Sequence, residues 1–381
     1  MKKTYLIHCT SVAGHLLEYI HHLYVGAIDC TDSKFIFILP SEFHEKKGLF
    51  DWPESSNISI EILEGVDNSV DKYNIIKKSY KKARNLGNYV KKYNPTDVVL
   101  LDLISYIPFL PLFVRSGIRV RGIVYRVYLY EWKESKWKKK TEDIIKYLLF
   151  SHFRVFDKVF ILNDATAPIY LNKLYNTSVF SYLPDPIASI SYNPQSARDT
   201  YGISSDKTVY LHPGGMLPYK GTIEILKAMD GMSDDTLSKV TVIFAGRVTP
   251  SIKKSFFDLY TRIKNRAQLI LIDGFLPFEE LGDLFATCDY VLIPYKVKGQ
   301  SSGIVGHAAY YKKPVVVAEG GIIGKTVRKW HLGSLIKEPS ADCIKEFLMN
   351  PRKGMIDGDG YVKSHSVRNF YRIIYDRNSC D

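Results

Sequence analysis

The stretch "KTVYLHPGGMLPYKG", residues 207–221, decides the fold of this chain. Residues 207–212 form a largely apolar run of the kind found in buried strands. A Gly-Gly pair at 214–215 interrupts the run, and apolar residues at helical spacing resume after Gly221. A buried strand that ends in a glycine turn and leads into a helix is the repeating unit of parallel α/β sheets. The stretch therefore predicts an α/β fold.

The same alternation continues in both directions along the chain. Further apolar runs lie at 4–9, 34–39, 58–63, 97–101, 119–125, 158–162, 240–246, 269–273, 290–294 and 314–319, and helical patterns lie between most of them, notably at 15–25, 71–93 and 164–175. Strand, helix and strand in succession predict parallel sheets that are covered on both faces. In "SYLPDPIAS", 181–189, the two prolines beside Asp185 fit neither a helix nor a central strand, so we predict a linker there.

We therefore predict two doubly wound, Rossmann-like parallel-sheet domains that face a cleft. The predicted boundaries are 1–185 for the first domain and 186–355 for the second. Residues 356–381 are expected to hold a C-terminal helix, from the amphipathic pattern at 365–376, which crosses back toward the first domain. Two domains also suit a chain of 381 residues.

The positive charge of the chain is concentrated in one segment. The formal net charge is +12, and residues 71–160 alone hold 20 Lys and Arg against 8 Asp and Glu. This asymmetry predicts an anionic partner, such as a membrane surface, a phosphorylated acceptor or nucleic acid, although basic residues also serve simply as a solubilising surface. Within 130–153, lysines alternate with Trp132, Trp137 and Tyr147, a pattern typical of a helix on anionic lipid or of a solvated helix packed on its own domain.

The N-terminus and the cysteines predict a cytoplasmic chain. The apolar run after Lys2 and Lys3 is too short for a signal peptide, and the longest apolar stretch, 98–114, is broken by a charge and two prolines, which argues against a membrane-spanning helix. The cysteines are odd in number and have no metal-ligand spacing, which argues against a disulfide framework. We expect reduced thiols in the cytoplasm, with a peripheral position on the inner face of the membrane as an option.

Three strand-to-helix junctions in the second half contain residues suited to an anion. The first has Gly214, Gly215 and Lys220, the second has Gly246 and Arg247, and the third has Ser301, Ser302 and Gly303, with His307 one helical turn later. Glycines let a ligand approach the backbone, and a helix start favours a negative group. Each junction alone is equally compatible with a plain turn or a surface arginine. Their repetition on consecutive strands favours a phosphate site.

The order of "GGMLPYKG", "FAGR", "IDGFLPFEELGDLFATCDYVLIPY", "SSGIVGHAA" and "KKPVVVAEGG" resembles the nucleotide-sugar domain of GT-B glycosyltransferases, closest to the group-one family 4 type. The resemblance covers residues 205–335 well and the first half only through "SVAGH" and "LPDP". It implies that Lys220 binds the donor diphosphate, that Gly303 and its neighbours form the phosphate-binding helix start, and that Phe275 and Leu276 contact the base.

The sequence departs from the family pattern at three positions. His307 stands where the family usually places the second of two glutamates, the one that grips the ribose, and Gly299 stands at the first. Gly215 replaces a common arginine, whose charge Arg247 can supply. An imidazole forms hydrogen bonds with hydroxyl groups, so His307 is expected to keep the ribose role.

The first half is expected to hold the acceptor side. Gly14 and His15 follow the first strand, where GT-B enzymes use a glycine to admit the donor phosphate or the acceptor, and His15 has the chemistry of a base. Asp102 follows the fourth strand, where it either lines the wall of the cleft or caps the start of the next helix. Arg126, Tyr128 and Glu131 follow the fifth strand as further candidates for that wall.

The catalytic candidates are accordingly His15, Asp102 and Lys220, with Gly14, Gly215, Arg247, Ser301, Ser302 and Gly303 at the donor diphosphate. Asp357 and Asp359 resemble a metal motif but lie in a glycine-rich turn, so no metal and no cofactor are expected. The resemblance implies a glycosyltransferase of the retaining class that acts in surface polysaccharide synthesis on a glycan or lipid-linked acceptor. The alternatives are a non-catalytic sugar-nucleotide-binding subunit, a sugar-nucleotide epimerase and a nucleic-acid-binding protein; the last lacks a binding motif, so no nucleic-acid partner is expected.

Overall fold

The computed structural model describes residues 3–64, 75–188, 194–274, 276–352 and 356–377. By its internal contacts the chain divides into unit 1, Met1–Pro186 with Val367–Asp381, and unit 2, Ile187–Ser366. Each unit contains one parallel sheet with helices on both faces. The predicted doubly wound α/β fold is confirmed.

Unit 1 is built on a sheet of seven parallel strands in the order β3-β2-β1-β4-β5-β6-β7. The strands are β1 (Thr4–His8), β2 (Lys34–Leu39), β3 (Ile58–Ile62), β4 (Asp97–Leu100), β5 (Arg119–Val124), β6 (Phe156–Leu162) and β7 (Phe180–Leu183). The expected linker was wrong in its first part, because residues 181–183 pair with β6 as strand β7. Pro184 follows β7 at once, so this strand is too short to show a periodic pattern.

Two helical layers cover the sheet of unit 1. The helices before the linker are α1 (Leu16–Ile28), α2 (Phe43–Lys46), α3 (Ile75–Tyr93), α4 (Leu110–Phe113), α5 (Trp137–His152) and α6 (Ala167–Tyr175). Buried residues of α3, α4, α5 and α6 share one core cluster with Leu6 of β1. Those of α1 share another cluster with Ile7. Because neighbouring strand residues face opposite sides of a sheet, α3 to α6 lie on one face and α1 on the other.

Unit 2 repeats the architecture with six parallel strands in the order β10-β9-β8-β11-β12-β13. The strands are β8 (Thr208–Pro213), β9 (Val240–Ala245), β10 (Gln268–Ile272), β11 (Tyr290–Ile293), β12 (Val315–Ala318) and β13 (Gly333–Ile336). The helices are α7 (Pro194–Thr200), α8 (Thr222–Asp230), α9 (Asp234–Ser238), α10 (Lys253–Ile263), α11 (Phe278–Thr287), α12 (Gly303–Tyr310), α13 (Gly321–Trp330), α14 (Ala341–Met349) and α15 (Asp359–Ser364). Strand β13 was not predicted, since "GSLI" is short and only partly apolar.

The C-terminal segment forms two helices where one was predicted. Helix α15 ends at Ser364, and α16 (Val367–Tyr375) follows after a break. Residues of α16 belong to unit 1 and pack in the same cluster as α1. The contact is close, because a Cβ atom on Gly26 of α1 would lie 2.3 Å from Cγ of Tyr371.

The chain passes between the two units twice, after Pro186 and after Ser366. At the unit 2 ends of these passages, Ile187 pairs with Ser366 in an isolated parallel bridge, and the Ile187 N–H donates to the carbonyl of His365 at 2.8 Å. Both passages therefore leave unit 2 at one place. Among the described helices, none is both long enough and apolar enough to cross a bilayer.

Candidate functional site

The candidate anion site of unit 2 lies at the point where its strand order reverses. Strand β8 is central, with β9 on one side and β11 on the other. In open α/β sheets, ligands bind beyond the carboxyl ends of the two strands at such a switch point. The loops that follow β8 and β11 meet here, because Nζ of Lys220 lies 5.1 Å from the ring centre of Tyr295.

The loops after β8 and β9 are joined through their backbones. The Gly214 N–H donates to the carbonyl of Ala245 at 2.7 Å, and the Met216 N–H donates to that of Arg247 at 2.8 Å. Gly246 has φ +146°, and a Cβ atom there would lie 2.4 Å from the Gly214 carbonyl oxygen. Only glycine fits at this crossing. The structure thus places the first two predicted junctions side by side, with the Arg247 side chain exposed.

Lys220 folds back over the glycine turn that precedes it. Its Nζ atom lies 3.0 Å from the position that a Cβ atom of Gly214 would occupy, and above the Tyr295 ring. Gly215 leaves open space, with Leu217 Cδ1 as the nearest atom to its Cβ position at 3.8 Å. Within the described ranges, Lys220 has no ion-pair partner. A partly buried ammonium group without a counterion, beside a turn without side chains, is suited to an anion.

His212 fixes the turn in place and was missed in the sequence. Its Nδ1 lies 2.9 Å from the Leu292 carbonyl oxygen, and its Nε2 lies 2.9 Å from Oγ1 of Thr222, the first residue of α8. Burial lowers the pKa of His212 to about 4, so the ring is neutral, with Nδ1–H as donor and Nε2 as acceptor. It links β8, β11 and the start of α8. A lone histidine within an apolar strand was the only signal in the sequence.

The third junction forms the start of helix α12. Ser302 precedes the helix in extended conformation, and its side chain makes no capping hydrogen bond. Gly306 and Ala309 fix the helix through close contacts: a Cβ atom on Gly306 would lie 2.7 Å from Ile187, and one on Gly358 would lie 2.6 Å from the Ala309 carbonyl. The Val305 N–H donates to the Ser302 carbonyl at 3.1 Å, but the Ser302 side chain caps none of the first N–H groups of α12, which suits an anion site.

His307 lies on α12 against the neighbouring helix α11. Its ring centre is 5.7 Å from that of Phe285, and its Nδ1 atom is buried. Leu276 packs against the core cluster that includes Phe285, and Phe275 lies outside the described residues. Contacts of these side chains with a ribose or a base therefore stay predictions.

The switch point of unit 1 lies between β1 and β4, which are neighbours at the centre of the sheet. Gly14, after β1, has φ +60° and no atom within 4 Å of its Cβ position, so the turn needs glycine for its conformation. His15 is exposed, and its ring centre lies 5.0 Å from those of both Tyr19 and Tyr125. Desolvation lowers the pKa of His15, which favours the neutral imidazole that a base requires.

Asp102 stands at the N-cap position of the 3₁₀ turn 103–106, but its side chain makes no capping hydrogen bond. The capping alternative is therefore wrong. Burial lowers the pKa of Lys82 of α3, and the charge of Asp102 opposes this shift; the same charge contributes to the raised pKa of Tyr125 after β5.

The Tyr125 hydroxyl is buried, and no described residue forms a hydrogen bond with it. Burial, first, and then the charges of Cys9, Asp102 and Asp185 raise its pKa well above the usual value. Tyr125, absent from the predicted set, thus lies beside His15 and is affected by the charge of Asp102.

Asp185, predicted only as a linker residue, is a buried carboxylic acid. It accepts a short hydrogen bond from Tyr19, and burial raises its pKa to about 7.

Three residues after β5 were also predicted to line the acceptor side. Tyr128 lies in the core, where its hydroxyl oxygen is hydrogen-bonded to that of Tyr175 at 2.9 Å. Glu131 forms an ion pair with Lys139. Arg126 alone of the three is exposed.

No group of three or more His, Cys, Asp or Glu residues in the described part of the chain has the arrangement of a metal site. Asp359, from the predicted look-alike motif, begins α15 and pairs with Lys312 at 3.2 Å.

Known proteins share this architecture. Residues 195–351 match the family model of the glycosyl transferases group 1. The whole chain superposes on HepE from Anabaena in complex with UDP, with a TM-score of 0.68 and 13% identity over 99% of each chain. It also superposes on sucrose-phosphate synthase from Thermosynechococcus elongatus, with a TM-score of 0.69 and 12% identity over 98% of this chain and 95% of that one.

A third structure, WaaG, a glycosyltransferase involved in lipopolysaccharide biosynthesis, gives a TM-score of 0.64 and 13% identity over 98% of this chain and 96% of that one. No curated protein sequence matches the chain. Identities this low establish the fold alone. The chain has the GT-B fold, and the part of it that the glycosyl transferases group 1 model matches is residues 195–351.

Proposed function

We propose that the protein is a family 4 type glycosyltransferase that moves a sugar, with retention of configuration, from a nucleotide-diphosphate sugar to a hydroxyl of a glycan or lipid-linked acceptor. The observation on which this rests is Lys220, a cation without an ion-pair partner among the described residues, folded over Gly214 at the switch point. The family model and the UDP bound by HepE support a nucleotide-sugar donor. The involvement of WaaG in lipopolysaccharide biosynthesis supports a place in surface polysaccharide synthesis.

On the donor side, the reaction needs a group that stabilises the leaving diphosphate. As the glycosidic bond of the donor breaks, negative charge develops on the diphosphate oxygens. Lys220, Arg247 and the uncapped start of α12 with Ser301, Ser302 and Gly303 offer fixed positive charge and donors, while Gly214 and Gly215 admit the phosphates. In this proposal these groups replace a divalent metal. His307, Phe275 and Leu276 hold the nucleoside.

On the acceptor side, we assign roles to the residues around Tyr125. His15 is neutral at physiological pH and orients or deprotonates the acceptor hydroxyl. Asp102 and the unbonded Tyr125 hydroxyl offer an acceptor and a donor to further hydroxyl groups of the acceptor. Gly14 keeps the approach to His15 free of a side chain. The basic segment 71–160 belongs to the same proposal as a surface for the membrane that presents a lipid-linked acceptor, which would place the enzyme peripherally on the inner face.

Nucleotide binding tests the donor site directly. Thermal unfolding is measured with UDP, GDP, ADP, CMP and dTDP in a chelating buffer, because a ligand that binds only the folded state raises its stability, by about 2.7 kcal/mol at a hundredfold excess over Kd. We expect one nucleoside diphosphate to raise Tm. Lys220→Ala is expected to abolish that shift and to lower sugar transfer by roughly 100-fold or more, with the Tm of the free protein unchanged.

A matched variant, Lys227→Ala, removes a lysine from α8, the helix that follows Lys220, and should leave the shift intact. If no nucleotide shifts Tm, the donor site is wrong. If Lys220→Ala retains full transfer, the role of Lys220 is refuted.

A second candidate function is a non-catalytic subunit that binds a sugar nucleotide. It is favoured by Gly299 and His307 at the two glutamate positions and by the packing of the His307 ring on Phe285. Release of free nucleotide from a radiolabelled donor panel separates the two functions. Turnover, even slow hydrolysis, supports the enzyme, whereas a Tm shift without any turnover supports the binding subunit.

A further inference from the structure

Large hydrophobic side chains are exposed mainly on one helical layer of unit 1. On α3 to α6 and the residues that adjoin them, the exposed members are Ile75, Ile76, Tyr80, Leu112, Trp137, Ile145, Leu148, Phe153, Ile169, Tyr170 and Leu174. Among the described residues of unit 2, Met349 is the one large hydrophobic side chain that is exposed. Monomeric soluble proteins rarely expose a large set of apolar side chains in one region without a binding role.

The same layer holds the excess of positive charge. Helix α3 contains seven Lys and Arg residues and no Asp or Glu, and α5 contains four lysines against Glu142 and Asp143. On the opposite face of the sheet, α1 has a single glutamate and no Lys or Arg, and α16 has two arginines. The charge is therefore a property of one face of unit 1.

On α3 and α4, exposed apolar and basic residues lie together. The ring centre of Tyr80 lies 5.4 Å from those of Phe109 and Phe113, and the next residue, Lys81, is exposed. Leu112, beside Phe113, is 73% exposed. Arg84 lies three positions after Lys81, and Lys91 lies seven positions after Arg84. Residues at these spacings lie on the same side of a helix, so both continue the exposed stripe along α3.

On α5 and α6, the exposed apolar residues are additional to those that hold the helices in place. Tyr147 and Phe150 of α5 lie in the core, whereas Trp137 is 78% exposed and Ile145 and Leu148 are exposed on the far side. Tyr147 is thus excluded from any surface contact. Ile169 of α6 is 72% exposed. The outer surface of α3 to α6 combines an apolar and a cationic character that the fold of unit 1 does not require.

We propose that this surface, the basic helical face formed by the exposed residues of α3, α4, α5 and α6, docks on a bilayer of anionic lipids. Lysines and arginines attract anionic headgroups, and Trp, Tyr, Leu and Ile side chains enter the boundary between headgroups and acyl chains. A second copy of the chain is disfavoured, because two faces of like charge repel each other. Nucleic acid explains the charge but not the exposed apolar residues. The proposal deepens the membrane contact named in the proposed function, but it rests on this surface and can hold or fail independently of sugar transfer.

Flotation with vesicles tests the proposal on the full chain. We expect binding to vesicles that contain phosphatidylglycerol, weaker binding at high salt, and little binding to phosphatidylcholine alone. Lys81→Gln, Arg84→Gln and Lys91→Gln together should weaken partitioning roughly 100-fold. The matched control, Lys253→Gln, Lys254→Gln and Lys264→Gln, removes the same charge from exposed positions of unit 2 and should leave partitioning unchanged.

A second pair of variants tests the apolar contribution. Leu112→Ser with Ile169→Ser should weaken partitioning roughly tenfold or more, while Leu49→Ser with Met349→Ser, exposed elsewhere, should not. Equal losses in test and control variants, or no preference for anionic vesicles, would overturn the proposal. So would a concentration-dependent dimer or retention of duplex DNA that these variants abolish. Circular dichroism of each variant separates loss of binding from loss of fold, and nucleotide binding by the same proteins reports on the proposed function separately.

Discussion

Gly246 shows how one missing side chain allows two loops of the candidate site to meet. Its φ of +146° is unfavourable for other residues, and its Cβ position lies 2.4 Å from the Gly214 carbonyl oxygen. The hydrogen bonds from Gly214 and Met216 to the chain around it depend on this close approach. The glycine positions the turn under Lys220, although it touches no predicted ligand group itself.

We predict that Gly246→Ala lowers the free energy of unfolding of unit 2 by about 2–4 kcal/mol, since the methyl group adds both backbone strain and a clash. The control is Gly215→Ala on the adjoining loop, where the nearest atom is 3.8 Å away, and its effect should stay within about 1 kcal/mol. Chemical denaturation of both variants measures the difference. Equal stability of the two proteins would show that the loop crossing adapts without cost.

Asp185 predicts a pH dependence of stability. Its pKa is about 7 in the folded protein and near the ordinary value when unfolded. Between about pH 4 and pH 7 the folded state therefore keeps a proton that the unfolded state has lost. The contribution of Asp185 to stability is thus fully present below about pH 4 and falls by up to ~1.4 kcal/mol per pH unit as the pH rises to about 7.

Asp185→Asn should remove this part of the pH dependence while its side-chain oxygen still accepts from Tyr19. The measurement is the difference between the unfolding free energies of wild type and variant across this range, because buried histidines such as His212 titrate in both proteins. A constant difference would show that Asp185 does not titrate there.

At the residue scale, the sequence predicts the groups that follow strands better than those that act through burial. Lys220, Arg247 and Gly214 could be proposed from the sequence because glycine and cations after a strand form a visible pattern. Tyr125, Asp185 and His212 were missed because their roles follow from burial and from neighbours distant in sequence, as between His212 and Leu292. Tyr128 was misplaced for the same reason: the sequence does not tell which side of the backbone it faces.

At the scale of elements, α16 is a structural part of unit 1. Oη of Tyr5 donates to the Tyr375 carbonyl at 2.7 Å, and Oη of Tyr375 donates to that of Leu23 at 2.7 Å. The buried Arg121 donates to the Ile374 carbonyl at 3.0 Å and pairs with Asp157 and Asp376. Phe370 and Ile374 are fully buried. The amphipathic pattern predicts this helix, but not the surface on which it packs.

We predict that removal of residues 367–381 unfolds unit 1, because it exposes the core around Tyr5 and leaves the Arg121 charge partly unpaired in the interior. Hydrogen exchange should show rapid exchange across β1 to β7 and retained protection across β8 to β13. Tyr375→Phe, which loses one hydrogen bond, should cost only about 1 kcal/mol. Full protection of β1 in the truncated protein would contradict the assignment.

At the scale of the whole molecule, the alternation of strands and helices suffices to predict two doubly wound sheets, because each parallel connection requires a crossover helix. The short edge strands β7 and β13 were missed, since four residues show no period. The basic segment was located correctly in the sequence, but only the packing of α3 to α6 on one face shows that its charge and its exposed apolar residues share a surface.

The return of the chain to unit 1 at α16 reverses the usual order of folding during synthesis. Domains generally fold as the ribosome releases them, the N-terminal one first. Here all strands of the first sheet leave the ribosome before unit 2, but the helix that covers Tyr5 and Phe35 is made after unit 2. Unit 2 can therefore be completed on the nascent chain before unit 1, whose core stays partly open to chaperones until α16 has been made.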